Sequence, residues 1–543
     1  MTGHIPSYAA GTLYRTGPGR YKVDSENGNT FQLSHWFDGF SQTHRFQLIP
    51  SEEPGSPMRV LYNSRFSTDD LVEHARMVGT LEGVISFGGY KDNGRDPCEA
   101  IYRKVQATYE PQVGSTSHSN IGVTLSANMP GMENFHVGSG SKTSQMRTLH
   151  AKSDHSSYKQ IHPETLEPLA LADQTTLHPD LDGPLSSSHA RSDPETGDIF
   201  NYNISFSPVP TYRVFRVSAA TGETSILATF PGVPAYMHSF FLTRNYVIIC
   251  VWNAHFSPDG FERGTYVGAL KGFDDSIPAK WYVVNRKQSH GQGLVAVYES
   301  QPFFCLHTIN AWEEAKNDPN DTSKTQIDIV AECVIYKNTD VIQRFYYEYL
   351  LSSSTAPGAQ PSPTTIDNGG KTQSRIARFR LPSFPVSMES PSPPPQETVL
   401  AMPLVAALEF TSCQTVAPEL PTLHPAYITH PHRYTYATID RGYSTFFDGL
   451  MKFDSQTGKT AIWSGHAQSP GEAVFVRDPE GVAEDDGVLL SVVLDGMSGK
   501  SYLLVLDARN MKEVGRASVE GVVSFGFHGL HVSGSGPQKP VDF

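Results

Sequence analysis

Histidine is the residue type with the clearest chemical potential in this sequence of 543 residues, which contains 21 histidines. Four of them share one setting, because each lies at the edge of a run rich in β-forming residues: His189, His238, His307 and His528. Neutral imidazole is the commonest metal ligand in proteins, so such a set could hold a metal ion. Their separations of 49, 69 and 221 residues match no local metal motif. Spacing alone therefore leaves four unrelated buried histidines as an open alternative.

Short β-strands must position these histidines, because the sequence is a succession of brief apolar runs bounded by Gly, Pro, Asn and Asp. Typical runs are TYRVFRV (211–217) and GVLLSVVLD (487–495), and turn sequences such as DSQTGK (454–459) separate them. This pattern predicts an all-β protein, either a β-propeller or a large β-sandwich. A few helical turns are predicted near 96–104 and 341–351.

The composition argues against several classes of partner. The formal charge of −14 comes without any block of Lys or Arg, which disfavours nucleic acid. Five Cys without a CxxC pair suggest neither a disulfide framework nor a Cys-based zinc site. The sequence has no run of about 18 apolar residues and no signal-peptide pattern. We therefore expect a cytoplasmic protein that contacts membranes only at their surface.

One domain is expected to span residues 1–543, with surface insertions at 352–373 and 382–397. Both segments are rich in Ser, Pro and Gly, and they flank a predicted strand, RIARFRL (375–381). Such segments cannot bury enough apolar area to offset the entropy lost on ordering. Neither insertion divides the chain, because the four histidines fall on both sides of them.

Six sequence words resemble those of the carotenoid cleavage oxygenase family, and they occur in the family's order. GTLYRTGPGRYKV and SHWFDGFSQTHRFQL (34–48) resemble its opening words. SHARSDPETGDIFNY, YMHSFFLT, LHTINAWEE and GFHGL resemble its four metal-ligand words. The resemblance covers nearly the whole chain, from about Gly11 to Gly529. It is closest to the fungal branch, whose members cleave torulene, apocarotenoids or stilbenes.

The resemblance implies a seven-bladed β-propeller with loops and short helices that form a cap over one non-haem iron site. It implies that Fe²⁺ is the cofactor and that its ligands are His189, His238, His307 and His528. In this family, O2 cleaves a C=C bond of an apolar conjugated substrate and leaves two carbonyl products. The sequence also lacks a GxGxxG or P-loop motif for a nucleotide cofactor.

The resemblance also implies carboxylates that accept a hydrogen bond from the second ring nitrogen of the ligand histidines. Two of them correspond to Glu419 in VAPELPTLHP and Glu472 in SPGEAVFV. The family's third Glu is missing from the stretch KSDHSSYKQIHPETLEP, where Asp154 is the expected substitute.

Two residues bear on the substrate. The opening words are closer to the branch that cleaves torulene or apocarotenoids, which implies a conjugated polyene. The alternative is a stilbene of the resveratrol type, because that branch holds a substrate phenol with a Lys and a Tyr. Lys152 and Tyr90 could match that pair, although Lys152 could equally be an exposed strand residue.

Two classes outside the family remain as alternatives. One is a non-catalytic propeller that serves as an interaction scaffold, with incidental histidines. The other is a zinc or calcium hydrolase. Calcium prefers six to eight oxygen ligands, and catalytic zinc usually has three protein ligands plus water. Metal analysis combined with an O2-uptake assay on a polyene separates these classes.

Overall fold

Antiparallel β-strands make up most of the regular secondary structure of this protein in the computed structural model. It describes residues 2–26, 28–51, 57–81, 86–91, 116–132, 146–206, 209–257, 264–287, 293–317, 325–351, 372–383, 403–412 and 416–534. The strands before the midpoint are β1 Thr2–Gly3, β2 Gly11–Arg20, β3 Lys22–Asp24, β4 Thr30–Leu33, β5 Phe40–Ile49, β6 Arg59–Phe66, β7 Tyr90–Lys91, β8 Thr124–Ala127, β9 Leu149–Lys152, β10 Ser157–Ile161, β11 Pro168–Asp173, β12 Leu185–Ser186, β13 Arg191–Ser192, β14 Ile199–Ser205, β15 Thr211–Val217, β16 Thr224–Pro231, β17 Phe241–Leu242 and β18 Tyr246–Val251. Those after it are β19 Ala279–Asn285, β20 Leu294–Ser300, β21 Phe304–Asn317, β22 Thr325–Tyr336, β23 Arg375–Leu381, β24 Leu404–Val405, β25 Ala407–Thr411, β26 Ala417–Thr422, β27 Tyr434–Asp440, β28 Gly449–Asp454, β29 Thr460–Trp463, β30 Gln468–Pro470, β31 Val474–Arg477, β32 Gly487–Asp495, β33 Lys500–Asp507, β34 Glu513–Ser518 and β35 His528–Ser533.

These strands form seven blades arranged in a ring, so the expected seven-bladed β-propeller is confirmed. From the axis outwards, blade 1 contains β35, β2, β5 and β6, and blade 2 contains β8, β9, β10 and β11. Blade 3 contains β12 with β13, then β14, β15 and β16, and blade 4 contains β17, β18, β19, β20 and the short outer strand β24, which is parallel to β20. Blade 5 contains β21, β22, β23 and β25, and blade 6 contains β26, β27, β28 and β29. Blade 7 contains β30 with β31, then β32, β33 and β34.

The ring is closed by strands from opposite parts of the sequence. β35 pairs with β2 to form the innermost strand of blade 1, with Thr16 opposite His528. β1 pairs with β34 at the outer edge of blade 7. Neighbouring blades meet at their innermost strands, for example β17 with β21 and β21 with β26. Residues that are distant in sequence therefore come together at the axis.

Middle strands of several blades are buried on both faces, because every blade packs between two others. All six residues of β18, YVIICV, are buried, and so are Val488–Val493 of β32. Such strands read as continuous apolar runs rather than as alternating patterns. Such runs made the individual strands recognisable in the sequence. They carry no information about how many blades the strands form.

A small cap lies outside the ring. β3, β4 and β7 form a separate three-stranded sheet, and this sheet packs with α1 (Asp69–Val78) on a cluster that includes Phe31, Phe40 and Leu71. Helix α1 was not predicted, although it has two acidic residues in its first turn and ends at Gly79, whose φ is 76°. The remaining described α-helices are short: α2 Tyr266–Ala269, α3 Asp340–Arg344 and α4 Tyr347–Leu350.

The helical turns predicted near 341–351 are confirmed by α3 and α4, and the strand predicted at 375–381 is confirmed by β23. The turns predicted near 96–104 lie outside the described residues. So do the predicted insertions at 352–373 and 382–397, apart from the residues at 372–373 and 382–383. Among the helices that the structure describes, none is long and apolar enough to cross a membrane.

Candidate metal centre

The four predicted histidines meet at the axis of the propeller. One ring nitrogen from each of His189, His238, His307 and His528 lies within 4.8 Å of all the others. The Nε2 atoms of His189 and His528 are 3.0 Å apart, and those of His307 and His528 are 3.3 Å apart. All four side chains are buried. The geometry is that of a single cluster rather than of four unrelated histidines.

Each histidine lies at the axial end of a different blade. His189 lies between β12 and β13 of blade 3, and His238 precedes β17 of blade 4. His307 lies in β21 of blade 5, where the pairing with β22 shifts register between Cys305 and Thr308. His528 is the first residue of β35 in blade 1. A register shift of this kind redirects a side chain out of the regular ladder, here towards the axis.

Three carboxylates approach the ring nitrogens that face away from the cluster. His528 Nδ1 lies 2.7 Å from Glu472 Oε1, and His307 Nδ1 lies 2.5 Å from Glu419 Oε2. His238 Nδ1 lies 2.9 Å from both oxygens of Asp154. The carboxylates come from blades 7, 6 and 2, so each of the seven blades supplies one residue to the centre. Asp154 therefore stands where the family resemblance predicted a Glu.

This arrangement fits a bound cation. An ionised carboxylate at Nδ1 holds the proton of His307 and His528 on that nitrogen, which leaves a lone pair on each Nε2. Two such lone pairs at 3.3 Å repel each other unless a positive charge lies between them. For metal–imidazole bonds of about 2.1 Å at a right angle, the nitrogens would be about 3.0 Å apart. The observed separations of 3.0 and 3.3 Å match that value.

A buried arginine holds Glu472 in place. Arg15 Nη1 donates to Glu472 Oε2 at 2.9 Å, and the backbone N–H of Gly529 donates to the same oxygen at 2.7 Å. The guanidinium fits only because two neighbours lack a side chain: a Cβ on Gly529 or Gly471 would lie 2.6 Å or 3.0 Å from an Arg15 atom. Arg15 therefore fixes the carboxylate that in turn orients His528.

Tyrosine hydroxyls hold the other two carboxylates. Tyr336 donates to Glu419 Oε1 at 2.7 Å, and Tyr236 donates to Asp154 Oδ2 at 3.0 Å. Burial and the neighbouring carboxylate raise the pKa of each tyrosine well above its usual value, so both hydroxyls keep their protons. Every carboxylate of the centre is thus oriented by a partner on its far side.

Burial and charge define the electrostatics of the centre. Burial lowers the pKa of His528 to about 4, with partial opposition from Glu472, so this imidazole is neutral at pH 7. Burial opposes ionisation of Glu472, but His528 and Arg15 outweigh it and lower its pKa below the ordinary value. Three carboxylates and Arg15 together carry two negative charges, which a divalent cation balances. Neutral imidazoles beside such a charge are the form that binds metals.

An apolar cavity opens beside the cluster, with about 1090 Å³ of empty space including its mouth. Three of the four histidines and two of the three carboxylates reach its surface. Most of its remaining wall is aromatic or aliphatic, formed by Leu33, Trp36, Phe37, Phe40, Leu71, Leu81, Phe87, Val123, Tyr236, Tyr266, Leu306, Phe345, Leu420, Phe447 and Phe527. The cavity suits an apolar ligand.

Neither of the two residues predicted to contact substrate is among the described residues that line the cavity. Lys152 ends β9 and is 2% exposed, so the alternative of an exposed strand residue is wrong. Its side chain shares a strand face with that of His150, because side chains two residues apart point the same way. Tyr90 lies in β7, where its hydroxyl is 3.0 Å from Thr80 Oγ1 and its ring is 5.4 Å from that of Phe31.

Four residues of the site had no role in the sequence prediction: Arg15, Tyr236 and Tyr336, which hold the carboxylates, and Asp38, which lines the cavity. Arg15 and Asp38 lie inside the two opening words, and Tyr236 lies inside a ligand word, so the words marked the positions without giving their roles. Tyr336 carried no local signal, because it ends β22 and reaches Glu419 only through the packing of blades 5 and 6.

Comparison with known proteins gives a consistent result. The sequence matches the family described as RPE65, retinal pigment epithelial membrane protein, over residues 1–533. It is 40% identical to the torulene dioxygenase of Gibberella fujikuroi, covering 98% of this chain and 90% of that protein. It is 39% identical to the carotenoid dioxygenase of Neurospora crassa, covering 98% and 88%. The structure of a cobalt-substituted apocarotenoid oxygenase from Synechocystis has the same fold, with a TM-score of 0.67, 20% identity and coverage of 98% and 94%.

Proposed function

The chain belongs to the RPE65 family of carotenoid oxygenases, and on that premise we propose that it is an Fe²⁺-dependent dioxygenase. It cleaves one C=C bond of a conjugated polyene with O2, and each alkene carbon receives one oxygen atom to become a carbonyl. The observation that carries this proposal is the four-histidine cluster that opens onto an aromatic cavity. The 40% identity to a torulene dioxygenase supports torulene or an apocarotenoid as the substrate.

The choice of iron rests on the donor set and its charge. A ferrous ion bound by His189, His238, His307 and His528 would supply the redox chemistry that O2 needs. The carboxylates hold the imidazoles at Nδ1 instead of entering the ligand set, so they fix the ring orientation. Their net charge with Arg15 suits a divalent ion. The chain thus provides four buried imidazoles, three of which are held by carboxylates.

The cavity wall positions the substrate. A flat polyene packs well against aromatic rings, and the rings of Phe37, Phe87 and Phe527 line the cavity that His528 also lines. Phe527 is buried, and Phe37 and Phe87 are partly buried. Neither Lys152 nor Tyr90 is among the described residues that line the cavity, so the described wall lacks the Lys–Tyr pair that would hold a stilbene phenol. This arrangement favours the polyene over the stilbene.

A polyene is soluble in membranes rather than in water, so substrate uptake involves contact with a membrane surface. We therefore propose a cytoplasmic enzyme that binds membranes peripherally. A vesicle co-sedimentation assay with and without dissolved carotenoid tests this part of the proposal separately from catalysis.

Turnover assays on the purified protein test the function. The protein is loaded with Fe²⁺ and supplied with torulene, a β-apocarotenal or resveratrol, and O2 uptake and product masses are measured. We expect two carbonyl products from a polyene, with label from ¹⁸O2 in both. Cleavage of resveratrol without any cleavage of polyenes would reverse the substrate assignment. Absence of stoichiometric metal with no O2 uptake would favour the interaction scaffold.

A further inference from the structure

We propose that Asp38 is a positioning residue that fixes the cavity wall at Phe87 and thereby helps to select the double bond that is cleaved. The selection of a double bond rests on the proposed function, whereas the structural role of Asp38 does not.

The carboxylate of Asp38 accepts hydrogen bonds from three consecutive backbone N–H groups. Phe87 N donates to Oδ1 at 2.5 Å, while Gly88 N and Gly89 N donate to Oδ2 at 2.8 Å and 3.2 Å. Asp38 is 7% exposed and ends a short 3₁₀ helix, Trp36–Asp38. Its own backbone is fixed in turn, because Asn120 Nδ2 donates to the Asp38 carbonyl at 2.9 Å.

The two glycines allow the segment Ser86–Gly89 to approach this closely. A Cβ on Gly88 would lie 2.5 Å from the Cβ of His35, and Gly89 has a φ of +90°. Side chains at these positions would therefore push the segment away from Asp38. Burial raises the pKa of Asp38 to about 6, against the effect of the three N–H donors. Burial of a carboxylate is costly unless hydrogen bonds compensate it, and the three backbone N–H groups provide this compensation.

The segment held by Asp38 forms part of the cavity wall. The Phe87 ring lines the cavity, and its centroid lies 4.8 Å from that of Phe37 and 5.3 Å from that of Tyr236. Tyr236 is the residue that holds Asp154 beside His238. On the other side, Val267 N donates to the Phe87 carbonyl at 2.9 Å. A shift of Phe87 would therefore reshape the wall next to the metal centre without touching a metal ligand.

The substitution Asp38→Asn separates this role from simple packing. Asn has the same shape, but only one of its two terminal atoms accepts hydrogen bonds, and the amide NH2 would face at least one N–H donor. At least one of the three backbone bonds is lost, which releases Phe87 or the two glycines. The metal ligands and their carboxylates remain unchanged in this variant.

Hydrogen exchange provides the readout that is independent of catalysis. We expect the amides of Phe87, Gly88 and Gly89 to exchange at least about tenfold faster in Asp38→Asn than in the wild type. The matched control is Asp486→Asn in blade 7. Asp486 Oδ2 also accepts two consecutive backbone N–H groups, from Val482 and Ala483 at 2.8 Å and 2.9 Å, and it does not line the cavity. Exchange at Phe87–Gly89 should be unchanged in that control.

Product analysis provides the catalytic readout. With a polyene substrate, we expect Asp38→Asn to raise KM several-fold and to release products from a neighbouring double bond, while iron content stays at the wild-type level. Phe87→Leu, which keeps the backbone hydrogen bonds, should give the same change in products. Asp486→Asn should give wild-type products.

Three results would overturn the inference: unchanged amide exchange in Asp38→Asn, wild-type products from both Asp38→Asn and Phe87→Leu, or the same product shift in Asp486→Asn. If Asp38→Asn does not fold, the products of Phe87→Leu still show whether the cavity wall at Phe87 selects the double bond. A wild-type protein that cleaves no polyene, with fast exchange in Asp38→Asn, would refute the proposed function and leave the backbone role intact.

Discussion

Replacing Glu472 with Gln should lower both the metal affinity and the folding stability of the protein. The two effects can be measured separately. Glu472 accepts hydrogen bonds from His528 Nδ1, Gly529 N and Arg15 Nη1. Gln keeps the shape but removes the charge and turns one acceptor into a donor. The Gln NH2 group then faces either His528 Nδ1 or the two donors Arg15 Nη1 and Gly529 N, and it cannot accept a hydrogen bond from them. The variant therefore removes one orienting contact and leaves a buried arginine without its counter-ion.

The expected magnitudes follow from these contacts. Loss of such a carboxylate partner typically lowers metal affinity about 10–100-fold, or about 1.4–2.7 kcal/mol. Breaking a buried ion pair on one side costs about 3–5 kcal/mol of folding stability. With an unfolding entropy of about 1.1 kcal/mol/K for a chain of this size, the Tm of the metal-free protein should fall by about 3–4 °C.

The assay compares two glutamates in similar surroundings. Glu332 in blade 5 is also buried between an arginine and a histidine, with Arg378 at 2.6 Å and His432 at 3.2 Å, but it lies outside the metal centre. Glu332→Gln should lower the Tm by a similar amount and leave metal affinity unchanged. Co²⁺ titration and differential scanning fluorimetry of both variants measure the two effects. If Glu472→Gln bound Co²⁺ as tightly as the wild type, Glu472 would be only a structural ion-pair partner.

Three further outcomes are expected. His528→Ala should lose bound iron and nearly all turnover while keeping its β-sheet circular dichroism; full iron content would exclude His528 as a ligand. Lys152→Met should change carotenoid turnover by less than a few-fold, and a severe loss in steady-state kinetics would show that this side chain reaches the substrate. His35 is neutral in the fold, because Phe37 N donates to its Nδ1 and its Nε2 lies 2.9 Å from the Ile342 carbonyl. Burial lowers the pKa of His35 to about 3. The unfolded state then binds one more proton than the folded state between about pH 6.5 and pH 3, so unfolding free energy falls with acidification by about 1.4 kcal/mol per pH unit from this group. His35→Gln should flatten the slope by that amount in denaturant titrations at several pH values, and an unchanged slope would contradict a neutral His35.

The fold class could be predicted from local signals, because short apolar runs and turn residues are properties of neighbouring positions. The blade number and the metal centre could not, because they depend on contacts across the ring. His307 and His528 are 221 residues apart, yet they come from blades whose inner strands converge. From the sequence, only the resemblance of the surrounding motifs to the carotenoid cleavage oxygenase family indicated that these two histidines belong to one site.

The limits of sequence reasoning also show at particular side chains. Glu419 and Glu472 look like loop residues in isolation, but both are buried beside histidines because the axis draws the inner strands together. Lys152 is two residues from Asp154 in the sequence, but Lys152 ends β9, whereas Asp154 follows that strand and lines the cavity. Only the structure shows which of these two side chains reaches the cavity.

Closure of the ring has a consequence for how the molecule comes apart. An open array of repeats frays from its terminal repeats, because these have a neighbour on one side only. Here β35 pairs with β2 and β1 pairs with β34, so every blade has two neighbours and none is terminal. Separating any one blade breaks two interfaces and opens the axis at the same time. Amide protons in the inner strands of all seven blades should therefore become accessible in one concerted event rather than blade by blade.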